Sequence, residues 1–163
     1  MIALQEFDNA LTTFQKLLTH LRKRFGYTNY RVAIILNNIG ICHYELGGFL
    51  TALKSFEETV EILREASINC QKDGHDDEKK FLLILLGRSL NNLSFIRFKR
   101  KEYAEAVVVL EEGLKIQRDV FGNNHKQVKS NIENLAFTMA TANCLDNKDK
   151  LIHTTEMYIE MLK

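Results

Sequence analysis

Three short stretches place an asparagine beside a leucine or isoleucine: "LNNIG" at 36–40, "LNNLS" at 90–94 and "IENLA" at 132–136. Asn92 follows Asn38 by 54 residues and precedes Asn134 by 42. A primary amide offers one carbonyl acceptor and two N–H donors. It therefore pairs at once with the N–H and C=O of an extended peptide backbone, without reading that peptide's side chains. The same group also bonds well to a neighbouring side chain, fixing the spacing of the segments that carry it. The residues alone leave both uses open.

Other reactive residues do not assemble into a site. Cys42 and His43 are neighbours, and neighbours on a helix point about 100° apart, which rules out a thiolate–imidazole pair within one chain. The stretch "DGHDDE" at 73–78 gathers oxygen ligands without the twelve-residue spacing and terminal glutamate of a calcium loop, and it reads as a solvated linker. The basic clusters "RKR" at 22–24 and "RFKRK" at 97–101 fall at helix C-termini, where cations complement exposed carbonyls. The sequence shows no glycine-rich phosphate loop, nucleophile elbow or zinc-binding helix motif. A non-enzyme without cofactor or metal is expected.

The elements that position the asparagines are helices. The chain has 163 residues and no proline, which permits helix almost everywhere and argues against a turn-rich β-domain. With 45% hydrophobic and 26% charged residues it has the makings of a soluble domain with its own core. A net charge of +1 gives no field to hold nucleic acid or an anionic membrane. The longest apolar run, "FLLILL" at 81–86, is far short of the roughly 18 residues that span a bilayer. No signal peptide is indicated, since Glu6 and Asp8 interrupt the apolar residues early, and no disulfide framework, since Cys42, Cys70 and Cys144 are odd in number and lack CxxC spacing. A reducing compartment is expected, the cytoplasm or else the nucleoplasm.

The asparagines belong to a longer repeat. A shift of 54 lays Asn38, Ile39, Gly40, Phe49, Ala52, Phe56 and Val60 onto Asn92, Leu93, Ser94, Tyr103, Ala106, Leu110 and Leu114. A further 42 carries Asn92, Leu93, Ser94 and Phe95 onto Asn134, Leu135, Ala136 and Phe137. Backwards by 42, Phe7, Ala10, Phe14 and Leu18 fall under Phe49, Ala52, Phe56 and Val60, so the chain opens halfway through a unit. Each unit reads as two antiparallel helices. The pattern predicts seven, over 3–25, 29–46, 49–70, 79–99, 102–120, 126–144 and 148–162. One domain over 1–163 would comprise a half repeat at 3–25 and repeats at about 29–70, 79–120 and 126–162.

These residues resemble the tetratricopeptide repeat, in the 42-residue variety of kinesin light chain. "FGYTNYRVAIILNNI" at 25–39 also lies over "FGNNHKQVKSNIENL" at 121–135, in the manner of that family's inter-repeat segment. Lys126 departs from it by replacing a proline and Lys101 by replacing a turn glycine, and twelve extra residues lengthen the connection near Ser67 to Lys79. The resemblance implies an all-α, right-handed α-solenoid whose first helices line a concave groove.

At 100° per residue, Leu36, Ile39, Gly40 and His43 share the core face of the first such helix, with Ile34, Asn38, Ile41 and Glu45 opposite. Arg88, Asn92, Phe95 and Lys99 take the matching face of the second helix, and Ser130, Asn134, Phe137 and Thr141 that of the third. Asn38, Asn92 and Asn134 would then form a ladder along the groove. Ile41, Phe95 and Phe137 would supply its apolar floor, while Arg88 and Lys99 would favour an acidic peptide against the opposing influence of Glu45 and Glu133. The expectation is a scaffold or adaptor that grips an extended peptide of a protein partner. The alternative is a self-assembly module that forms homo-oligomers through the ends of the stack.

Overall fold

The computed structural model describes residues 2–70 and 76–146, which form six helices. They are α1 (Ile2–Phe25), α2 (Tyr30–Glu45), α3 (Phe49–Asn69), α4 (Asp76–Lys99), α5 (Tyr103–Phe121) and α6 (Lys126–Asp146). Six of the seven expected helices appear within a few residues of their expected bounds. The seventh, at 148–162, lies outside the described residues, as does the stretch 73–75 of the expected linker. The rest of that linker is corrected: Asp76, Asp77 and Glu78 form the first turn of α4. Carboxylates there face the positive end of the helix dipole, which favours starting the helix at that point.

Each helix packs chiefly on its neighbours in sequence, with a minor contact between α2 and α4, as in an α-solenoid. Val32, Leu36, Leu53, Phe56, Val60, Leu63, Leu86, Leu90 and Ile96 form one continuous core through α2, α3 and α4. Leu110, Leu114, Val128, Ile132 and Leu135 form a second between α5 and α6. The approach of α2 to α3 uses the small residue expected on the core face: a Cβ on Gly40 would lie 2.7 Å from the Phe56 ring. Among the described residues, α4 is the one helix whose length and apolarity reach those of a membrane span. Leu82, Leu86, Leu90, Leu93 and Ile96 are all buried in the stack, which accounts for its composition.

The hairpin turns repeat in atomic detail. After α2 the Gly48 N–H donates to the His43 carbonyl at 2.7 Å, and after α4 the Glu102 N–H donates to the Arg97 carbonyl at 2.9 Å. The residue before each donor takes a positive φ, 80° at Gly47 and 66° at Lys101. This bonding pattern, from the third residue past the helix back to its last turn, is the glycine-favouring helix stop. Lys101 thus adopts the required conformation without the residue that adopts it freely, at a cost of roughly 1–2 kcal/mol. Glycine would recover that strain less its own entropy cost of about 0.5–1 kcal/mol. Lys101→Gly should accordingly raise stability by about 0.5–1 kcal/mol in urea denaturation; a loss of stability would contradict this reading of the turn.

Candidate functional site

The inner wall of the stack is built by α2, α4 and α6, and the eight expected site residues divide among three environments. Phe95, Lys99, Asn134 and Phe137 come together. They line a cavity of about 400 Å³ between α4 and α6, with Asn91, Ser94, Phe98, Thr138 and, at its base, Leu110 of α5. Asn38, Ile41 and Arg88 stand outside it, with Ile41 and Arg88 exposed and Asn38 half-buried. Asn92 is also outside, and its Nδ2 donates to Asn37 Oδ1 at 2.9 Å.

Helical spacing brings the aromatic rings into contact across the wall. Phe95 meets Tyr44 of α2 edge-on at 5.2 Å between centroids, while Phe98 lies 5.6 Å from Phe137 of α6 and 5.2 Å from Tyr103 of α5. Even so, Phe95 is 46% and Phe137 64% exposed, so these rings form a surface and do not fill the core. Lys99 Nζ sits 5.3 Å above the Phe95 ring, which places a cation on the rim of an apolar floor. The hydroxyls of Ser94 and Thr138 bond to carbonyls of their own helices, at Asn91 and Asn134, and so present no strong polar demand to a ligand.

Of the three recurring asparagines, one makes the side-chain tie between neighbouring segments and two do not. Among the described residues, the side-chain amides of Asn38 and Asn134 have no hydrogen-bond partner, whereas Asn92 is tied to the neighbouring inner helix through one donor. The stronger tie comes from residues that the repeat pattern did not single out. Asn91 and Asn131 exchange amide bonds at 3.0 and 3.1 Å, and Asn131 Nδ2 also donates to Gln117 Oε1 at 2.6 Å. Both donors and the acceptor of Asn131 are thus used, and Asn131 and Gln117 are only 4% and 3% exposed. Close approach makes room for them, since a Cβ on Gly87 would lie 3.1 Å from Gln117 Cγ.

One sequence signal for this network existed. Gln117 continues the buried series Ala106, Val109, Leu110, Gly113 and Leu114, and Asn131 falls within Val128, Ile132 and Leu135. A polar side chain at core spacing needs a partner of its own kind. Asn131 has no asparagine counterpart in the other repeats, because the shifts that relate Asn134 to Asn92 and Asn38 bring Asn131 onto Ser89 and Ile35.

Cys42, the thiol beside His43, is buried, and that burial pushes its pKa up, away from the reactive thiolate.

Tetratricopeptide repeat sequence profiles match residues 1–65 and 86–126, together more than half of the chain. The chain belongs to the tetratricopeptide repeat family. Among solved structures, BtubC (BKLC) from P. vanneervenii superposes with a TM-score of 0.72 at 16% identity, over 96% of this chain and 57% of that one. This likeness shows the right-handed α-solenoid fold. Also similar is a structure from Podosopora anserina titled putative kinesin light chain nearly identical TPR-like repeats, at 15% identity over 97% of this chain and 86% of that one, with a TM-score of 0.36. A point variant of the same repeats gives 14% identity and a TM-score of 0.37, over 96% and 87%. No curated protein matches the chain. This chain spans 57% of the length of BtubC.

The network and the open amides respond differently to truncation. Asn131→Ala leaves Gln117 and Asn91 without their partner and should cost about 1–3 kcal/mol. Asn134→Ala should stay within about 0.5 kcal/mol, as expected for an exposed amide with no bond to lose. Thermal melts followed by circular dichroism measure both, and equal shifts would mean that the buried network does not brace the stack.

Proposed function

We propose that the chain is a non-catalytic adaptor that binds an extended peptide segment of a protein partner along the wall formed by α2, α4 and α6. The observation that carries this reading is the cavity of about 400 Å³, where Phe95, Phe98 and Phe137 surround an open space with Lys99 at its rim. A bulky apolar side chain of the peptide would fill it. A neighbouring acidic residue would meet Lys99, and Arg88 would extend the same preference toward α2. The unpartnered amides of Asn38 and Asn134 would take the peptide backbone above and below, with the remaining donor and the carbonyl of Asn92 between them. Such an arrangement draws on one family-level property, protein–protein interaction through repeats.

Selection of peptides from a random displayed library against the 163-residue chain tests this. Enriched sequences should pair a bulky apolar residue with an acidic one. Phe137→Ala should weaken the best of them by about 1–2 kcal/mol, as expected for an aromatic anchor, with an unchanged melting temperature because the ring is largely exposed. Lys99→Glu should weaken it further and flatten its salt dependence. Failure to enrich any peptide, or binding indifferent to both variants, would remove the mechanism.

A second reading, self-assembly through the ends of the stack over one domain at 1–163, draws on α1. None of its described residues is buried, and Leu4 and Leu17 are 51% and 39% exposed, whereas α2 to α5 each carry a buried face. On this reading the chain sediments as a dimer or larger at tens of micromolar, and Leu17→Glu returns it to monomer. Sedimentation of the unaltered chain as a monomer would remove the second reading and leave the groove as the sole candidate.

A further inference from the structure

The turn between α1 and α2 gathers positive charge beside the exposed rings of Phe25 and Tyr27 and the core-packed ring of Tyr30. From Asp8 to Glu45 the sequence contains no acidic residue, while Lys16, Arg22, Lys23, Arg24 and Arg31 are basic. The guanidinium carbons of Arg24 and Arg31 each lie 5.2 Å from the centroid of the same ring, Phe25, and that of Arg31 lies 4.7 Å from the Tyr30 centroid. Two positive charges therefore stand at most about 10 Å apart, roughly one Debye length at ordinary ionic strength. Among the described residues no carboxylate lies within ion-pair distance of either. Arg22, stacked on Tyr27, is taken by Glu58 of α3. The surface is open, with Phe25 40% and Tyr27 68% exposed.

The helix dipole explains only part of this charge. Arg22, Lys23 and Arg24 occupy the last turn of α1, where cations are favoured, but Arg31 is the second residue of α2, at the positive end of that helix. A cation there is electrostatically misplaced unless an anion comes to it.

We propose that the α1–α2 turn is a second docking surface, which takes a short acidic segment of a protein partner by pairing its carboxylates with Arg24 and Arg31. Contact with the ring faces does not use the N–H donors of the guanidinium groups, and these can receive a carboxylate in bidentate fashion. The rings also hold the two side chains in place before binding, which lowers the ordering cost of the complex. The surface suits a short segment because uniform positive charge is confined to the turn. Phe81 of α4 meets Tyr30 edge-on at 5.8 Å, and the helical turn before Phe81 carries mixed charge, Asp77 and Glu78 with Lys79 and Lys80.

Fluorescence anisotropy of a labelled hexaglutamate peptide, titrated with the whole chain at low ionic strength, tests the proposal. Saturable binding is expected, falling steeply with added salt and weakened at least tenfold by Arg24→Gln/Arg31→Gln, with the melting temperature unchanged because both side chains are exposed. Should the double variant fold poorly, Arg31→Gln alone serves, with a loss of at least threefold. Absence of binding, affinity retained in these variants, or tighter binding of an oligothymidylate of equal charge or of phosphatidylserine vesicles overturns the proposal.

Discussion

The spacing of the inner helices rests on a few side-chain amides. In a solenoid each helix packs on its neighbours in sequence, and α2 meets α4 only marginally, so few contacts tie the first helix of one repeat directly to that of the next. Asn37 and Asn92 make that tie between α2 and α4, and Asn91 with Asn131 makes it between α4 and α6. The second tie is held from behind by Gln117 of α5. A buried amide with every arm satisfied rigidifies its surroundings, and the same amide with a missing partner is costly. The network therefore favours one relative position of the helices over neighbouring ones.

That position sets what the wall can bind. Asn91 bonds to α6 and also lines the cavity, and one to two turns further along α4 come Phe95, Phe98 and Lys99. The distance between Phe98 and Phe137 depends on how far apart α4 and α6 are held. Across the outer helices, ion pairs of Arg22 with Glu58 and Arg64 with Glu112 link α1 to α3 and α3 to α5. These pairs are partly exposed and are worth little individually. The buried amides and the interlocking of small with large residues, Gly40 against Phe56 above all, carry more of the geometry.

Much of this was legible in the sequence because periodicity records which face is buried. Leu36, Ile39 and Gly40 are buried and Ile41 and Glu45 exposed, as the 100° rotation required. The turns were legible from glycine, and Lys101 shows where a non-glycine adopts the same conformation because hydrogen bonds on both sides demand it. The pairing of neighbours was not legible. Of the two asparagines in "LNNLS", the repeat singled out Asn92, yet Asn91 lines the cavity, its partner Asn131 lies 40 residues away, and Gln117, the further partner of Asn131, lies 14 residues before that. A polar residue at core spacing says that a partner exists, but the docking of the helices decides which residue it is.

The central claim is that the α4–α6 wall, and not the outer helices, receives the peptide. A photo-crosslinking benzoylphenylalanine at Phe137, compared with one at Val108 of outer helix α5, which is 64% exposed in the same way as Phe137, tests it most directly. With a library-selected peptide in excess, the account predicts a covalent adduct from position 137 and none from position 108; an adduct from 108 with none from 137 would contradict it.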